Sequence, residues 1–391
     1  MHTCAIIAEY NPFHNGHAWQ IAEARHRGAK RIVAVMSGNF VQRGTPAVLP
    51  KEIRVAAALS CGADLVVELP LPYATASAEQ FAAAGVHLAA SLGVVDTLVF
   101  GAETPNVSKL IGLTRTLLDP VCDAAIKLRL STGVSYPAAR AQVAEEFFPG
   151  AAELLALPNN ILAIEYCKAL IEQNVPILPL PLARKEADHH DEKAGRGYAS
   201  SSFLRSLAVD MWKELVPEKV FPAYRFVMEN GLRIDNTRFE IAALSRLRWC
   251  KAAGLGSLPG ASEGLENALY NSIQTATSLE EVYSGAKSKR YAHSRIRRLV
   301  LSAVLGVPNV LPALPPYIRI LGATETGLNM LKEVKEKATL PFSASLAELE
   351  RQGVACAAVA SAEVRAGDFY SLCLKKPRPS GKEYTFQLIK A

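Results

Sequence analysis

The chain has 391 residues, half of them hydrophobic and a fifth charged, and its formal net charge is +6. That length favours two or three domains with a sizeable core, and the composition is that of a soluble globular protein. The excess positive charge points weakly to a polyanionic partner and decides nothing alone. Seven cysteines (Cys4, Cys61, Cys122, Cys167, Cys250, Cys356 and Cys373) are odd in number and form no Cys-x-x-Cys pair. Their spacing argues against a disulfide framework or a structural zinc site and for buried free thiols in a reducing compartment.

Residues 1–10 are apolar but short and lack a basic leader, so no signal peptide fits. Apolar, β-branched runs at residues 3–9, 31–36, 65–69 and 97–100 alternate with helix-like stretches at 17–27, 51–61 and 76–92. A strand–helix alternation at roughly thirty-residue spacing predicts a parallel sheet with crossover helices. The apolar stretch 81–100 contains His87 and Asp96, broken by Gly85 and Gly93, and reads as a helix then a strand, not a membrane span. Residues 107–148 read as helical with breaks at Pro120 and Gly133. A further helix follows Pro158-Asn159-Asn160, and the Pro-rich run 175–182 suits an edge strand. Ser200, Ser201 and Ser202 are placed to cap another helix. A boundary near 212–222 precedes a mostly helical remainder, from 237 to 305 and again after 324. The expected organisation is an α/β, Rossmann-like catalytic domain over 1–215, with a helical insertion at about 105–175, and a mostly helical region over 216–391.

Ligands of parallel sheets bind beyond the carboxyl ends of the strands, and the polar segments 10–17, 37–43, 70–72 and 101–103 all follow predicted strands. His14-Asn-Gly-His17 sits where the first strand hands over to the first helix. Gly16 permits close backbone approach, and the helix start offers free N–H groups and a positive dipole end to phosphate. Two histidines there can stabilise charge as a phosphorus–oxygen bond breaks; the bland alternative is a helix cap or a metal ligand pair. Ser200–Ser202 with Arg205 could supply a second phosphate contact or be only a capped surface helix. Lys51 and Arg54 could meet phosphate or RNA, or form a solvated helix face.

His14-x-Gly-His17 followed by Ser-Ser-Ser-x-x-Arg is similar to the two phosphate motifs of the HIGH-type nucleotidyltransferase superfamily. The strings Glu9–His17, 35–44, 67–70, 100–103, 158–162, 290–298 and 317–322 together resemble the bacterial tRNA(Met) cytidine acetate ligase family over nearly the whole chain. That resemblance implies a two-step reaction. Acetate attacks the α-phosphorus of ATP to give acetyl-adenylate and pyrophosphate, and N4 of the wobble cytidine of elongator tRNA(Met) then takes the acetyl group and releases AMP. It also implies His14 and His17 as catalytic residues and an ATP-binding stretch of Ile7, Ala8, Glu9, Tyr10, Asn11, Pro12, Phe13, His14, Asn15, Gly16, His17, Ala18, Trp19 and Gln20. Gly101, Asn159 or Asn160, Arg184, Lys185, Ser200, Ser201 and Arg205 complete the implied nucleotide site. Ala199 stands where the family's second motif opens with Ile or a small residue, and His189-His190-Asp191 replaces Tyr-His-Asp. Mg2+ is expected with ATP, without an assignable set of protein ligands.

Residues 287–298 hold Lys287, Lys289, Arg290, His293, Arg295, Arg297 and Arg298 with no acid. Read as one helix, Arg290, Ser294, Arg297 and Arg298 share a side while Tyr291, Ile296 and Leu299 bury another. Such a stripe suits RNA phosphates, although charge runs are often solvated faces. Residues 375–382 are a weaker candidate of the same kind. The rival readings are an adenylyltransferase of a small phosphorylated metabolite and an RNA-binding protein without catalysis. The expected setting is cytoplasmic, with tRNA, acetate and ATP as partners and neither membrane nor DNA.

Overall fold

The structure is a computed structural model of the full chain and describes residues 1–184, 197–261, 264–288 and 291–391. Its centre is an eight-stranded sheet. β1 (Thr3–Ala8), β2 (Arg31–Ser37), β5 (Leu65–Leu69), β6 (Thr97–Ala102) and β7 (Leu178–Ala183) run parallel in the order β5-β2-β1-β6-β7. A short antiparallel hairpin of β3 (Phe40–Val41) and β4 (Thr45–Pro46) rises from the loop after β2. The predicted strands and the crossover helices α1 (Asn15–His26), α2 (Lys51–Ser60) and Ala78–Ser91 are therefore present, and β7 is the edge strand its prolines suggest. Strands β1, β2 and β5 are buried almost throughout, which is why they read as continuous apolar runs rather than alternating ones.

The parallel strands reverse direction of winding between β1 and β6, so the loops leaving these two strands diverge and open a crevice. The β1 loop carries the histidine pair and the β6 loop carries Gly101 and Glu103. Helices Val107–Leu118, Pro120–Ser131, Tyr136–Phe147 and Pro158–Glu172 fill the predicted helical stretch between β6 and β7.

The second half is mostly helical as expected, but its helices are interrupted by three strands. β8 (Ile318–Ala323) lies antiparallel beside β5, with β9 (Phe342–Ser343) and β10 (Ile389–Lys390) parallel to it. The region after residue 216 thus extends the sheet that the first hundred residues begin. The segment around the expected boundary is also tied inward: Trp212 and Tyr224 are fully buried against the core beneath β1 and α1. Among the described residues no helix is long and apolar enough to cross a membrane, and all seven cysteines are free thiols.

Candidate active site

The β1 loop is held in shape by its own residues. Tyr10 takes a left-handed backbone (φ +48), uncommon for a side chain of its size. Its buried ring packs edge-on against His17 and Phe13, both at 4.9 Å between centroids, and that packing offsets the strain. His14 is the N-cap of α1: its Nδ1 accepts from the Gly16 N–H at 3.1 Å, while Nδ1 of His17 accepts from the His14 N–H at 3.2 Å. The pair forms a capping box made of imidazoles, with the rings stacked at 3.8 Å. The functional and capping readings of this motif are therefore compatible. Because each Nδ1 is an acceptor, the proton of each neutral ring resides on Nε2, which makes Nε2–H a donor for a ligand oxygen.

Burial, with the nearby Arg184 and Arg205, holds the His14 imidazole down to about 3, and burial with His14 and Arg184 pushes His17 well below its ordinary value. Both rings are neutral at neutral pH. Burial lowers Arg184 and Arg205 as well; Glu103 opposes the shift of Arg184 and Glu9 that of Arg205, while Arg43 adds to both. Three guanidiniums and two imidazoles converge here, an arrangement that a polyphosphate would relieve.

The second motif lies against the first. Arg205 Nη1 donates to the Asn11 carbonyl at 2.7 Å, and Asn15 Nδ2 donates to the carbonyls of Gly197 and Glu214 at 2.8 and 2.9 Å. Ser200 caps the helix Ser201–Ser206 by accepting from the Phe203 N–H at 3.2 Å. Tyr224 adds a contact that the sequence does not announce: its hydroxyl accepts from the Phe13 N–H at 3.1 Å and donates to the Phe13 carbonyl at 3.3 Å. Nothing local in a lone tyrosine 211 residues away marks it as a clamp on the motif.

Across the crevice, Gly101 leaves room for Arg184: a Cβ there would lie 3.2 Å from its Cγ. Glu103, the last residue of the 100–103 string, caps the helix Pro158–Glu172 with both oxygens, accepting from the Asn159 N–H at 3.2 Å, the Asn159 side chain at 2.5 Å and the Asn160 N–H at 2.8 Å. Asn160 is fully buried and spends its amide on Thr104, whereas Asn159 is partly exposed. Glu103→Ala is expected to cost about 1–2 kcal/mol of stability, as loss of a helix cap does, and to weaken ATP binding by loosening Asn159 and Arg184. Urea melts and ATP titration of the variant check this, and an unchanged ATP affinity would confine Glu103 to the capping role.

Lys51 and Arg54 belong to neither of the roles expected of them. Arg54 is fully buried and donates to the carbonyls of Glu9, Leu49 and Ser37 at 2.7, 3.0 and 3.1 Å and to that of Gly38, joining the ends of β1 and β2. Lys51 is buried among Glu68, Glu383 and Glu363 at 2.5, 2.5 and 3.5 Å. Among the described residues these three glutamates are the one group spaced to hold a metal ion, but the Lys51 ammonium and the Arg319 guanidinium already occupy it. A cavity of about 460 Å³ beside them, lined by Asn39, Tyr370, Arg378 and Phe386 among others, contains neither histidine.

The basic run is not one helix. Lys287 ends the helix Leu279–Ala286, and a new helix, His293–Leu305, begins after Ala292. Tyr291, Ile296 and Leu299 are buried as the pattern required. Arg295 donates to the Gly260 carbonyl at 3.2 Å, Arg297 stacks over Tyr283 and pairs with Glu280 at 3.4 Å, and Arg298 is half-buried. In the weaker tail candidate, Arg378 is engaged by Glu52 at 2.6 Å. Lys185, His189, His190, Asp191, Lys289 and Arg290 lie outside the described residues.

Comparison with known proteins agrees with this geometry. The family model of the HIGH nucleotidyl transferases matches residues 1–384. A tRNA(Met) cytidine acetate ligase of Clostridium novyi is 35% identical over 359 residues, covering 88% of this chain and 89% of the relative. One from Acetivibrio thermocellus is 33% identical with both chains fully covered. The crystal structure of Thermotoga maritima TmcAL bound with alpha-thio ATP superposes with a TM-score of 0.91 at 28% identity, covering all of both chains. The chain belongs to the HIGH nucleotidyl transferase family and, within it, to the tRNA(Met) cytidine acetate ligases.

Proposed function

We propose that this protein is an ATP-dependent ligase that acetylates N4 of the wobble cytidine of elongator tRNA(Met), using acetate through an acetyl-adenylate and releasing pyrophosphate and AMP. The observation that carries the reading is the imidazole capping box at the β1–β6 crevice, with its two Nε2–H donors beside Arg184 and Arg205. Such a site suits α-phosphate chemistry: an acetate oxygen bonds to the α-phosphorus, and the bond to the pyrophosphate oxygen breaks. The imidazoles and guanidiniums stabilise the charge that develops, and no protein proton need move. ATP takes residues 7–20, Gly101, Asn159, Arg184, Ser200, Ser201 and Arg205, with Lys185 as a further contact. Asn159 is favoured over Asn160 because its side chain is the more accessible of the two. Mg2+ accompanies the phosphates, held chiefly by them.

The catalytic part centres on residues 1–215, braced by Tyr224 and β8, and 216–391 supplies the part that meets tRNA, through Lys287, Lys289, Arg290, His293, Arg295, Arg297 and Arg298. Removing Lys287 and Arg295 together is expected to lower the slope of log affinity for tRNA against log salt by about 0.7–0.9 for each phosphate they neutralise. Filter binding at several salt concentrations measures this, and an unchanged slope would remove these residues from the interface. The reaction itself is tested by incubating total tRNA with the protein, ATP and isotopically labelled acetate, then analysing nucleosides by mass spectrometry. Labelled N4-acetylcytidine supports the proposal. Pyrophosphate release with another acceptor and no labelled tRNA would favour the metabolite adenylyltransferase.

A further inference from the structure

The β3–β4 hairpin carries no assigned role, yet it joins the candidate ATP site to the basic helix. At its tip the Gln42 N–H donates to Glu9 Oε1 at 2.9 Å, and Arg43 Nη1 donates to Ser202 Oγ at 2.8 Å. The same hydroxyl accepts from Arg205 Nη2 at 3.1 Å, so two guanidiniums share one serine. Arg43 is also near enough to Arg184 and Arg205 to help lower both. Glu103 beside Arg184 and Glu9 beside Arg205 offset part of this charge, but like charges gathered this closely still favour a further anion, and a guanidinium fork matches phosphate oxygens. Beside them the Gln42 side-chain amide nitrogen is buried without a partner among the described residues.

A surface arginine that merely finds a hydroxyl would need no fixed backbone, and this hairpin is fixed on both sides. Gly44 has φ +74, and a Cβ there would come within 2.8 Å of the Arg297 carbonyl carbon and 2.9 Å of the Arg298 nitrogen, so the tip rests directly on the basic helix. At the base, Asn39 accepts from the Lys51 N–H at 3.0 Å and donates to Glu383 at 3.3 Å.

We propose that Arg43 is a polyphosphate-binding residue of the ATP site, held over the β- and γ-phosphates by a hairpin seated on the basic helix. It donates hydrogen bonds to the oxygens that leave as pyrophosphate and transfers no proton. The inference rests on the adenylating reading of the site, in which acetate displaces pyrophosphate from ATP.

Acetate-dependent exchange of labelled pyrophosphate into ATP tests it on the full chain, alongside calorimetric titration with pyrophosphate. Arg43→Ala is expected to reduce kcat/KM for ATP by about 10- to 100-fold and to weaken pyrophosphate binding, with Arg43→Lys intermediate. Gly44→Ala, which lifts the hairpin from the helix, is expected to act in the same direction, and the double variant to be little worse than Arg43→Ala. If the wild-type protein shows no acetate-dependent exchange, the adenylating reading fails. If the wild type exchanges and Arg43→Ala matches it within about twofold, the Arg43 proposal is overturned. Unchanged exchange with reduced tRNA acetylation would likewise overturn it and make Arg43 an RNA contact.

Discussion

His17→Ala is expected to slow acetate-dependent pyrophosphate exchange by about 10²–10³-fold while changing ATP affinity far less, the pattern for losing a donor that acts chiefly in the transition state. The Nδ1 of His17 is occupied by the His14 N–H, which leaves Nε2–H as the donor to developing charge. His14→Ala confounds this test, because His14 also caps α1 and its loss costs about 1 kcal/mol of stability. His14→Asn keeps a capping side chain and is the cleaner partner experiment. A rise in KM with kcat untouched would reduce His17 to a ground-state phosphate contact.

The neutral state of the pair has a second consequence. The folded-state value of His14 is about 3 against an ordinary 6.5, and His17 is displaced in the same direction. Below pH 6.5 the unfolded chain therefore takes up protons that the folded site refuses, so the ligand-free protein loses stability as pH falls from 6.5 towards 3. Bound ATP favours the imidazolium form and should recover part of that loss. Thermal melts at about pH 7 and about pH 5, with and without ATP, read both effects.

Much of this site is legible in the sequence because its parts are local. A capping pattern, a glycine and a strand-to-helix handover lie within Glu9–His17, and the serine cluster announces its own helix. The parts that are not legible depend on partners far along the chain. β8 is a short apolar run containing an arginine, and only its pairing with β5 shows that Arg319 lies buried against Glu68, 251 residues away. Glu103 closes the 100–103 string, but its capping role emerges only when the helix Pro158–Glu172 is brought to it. Lys51 and Arg54, spaced three apart on an amphipathic helix, have the pattern of a solvated face, and their burial follows from acceptors that no local pattern contains.

Lys51→Met is expected to destabilise the fold by about 3–5 kcal/mol, the range for breaking a buried ion network by removing one partner. Lys51 and Arg319 together face Glu68, Glu363 and Glu383, all buried. Burial and the neighbouring carboxylates push Glu363 up to about 8, so it is protonated at neutral pH and the remaining charges balance. Methionine at 51 leaves two carboxylates with one guanidinium. Adding Glu383→Gln to Lys51→Met restores the balance and should recover part of the loss, which a double-mutant cycle in urea would show. A single-variant loss below about 1 kcal/mol would mean that water reaches the cluster and screens it. The sign of the pH effect here opposes that of the histidines. Glu363 keeps its proton in the folded state above the ordinary 4.5, so stability falls as pH rises from 4.5 towards 8, and Glu363→Gln should flatten that slope. Glu363 also accepts from the Leu71 N–H at 2.8 Å, and Glu383 holds Asn39 at the base of the hairpin. The network thus fixes the loops after β2 and β5 using residues from the far end of the chain. A weakened cluster should therefore lower pyrophosphate exchange through Arg43 even where the protein remains folded.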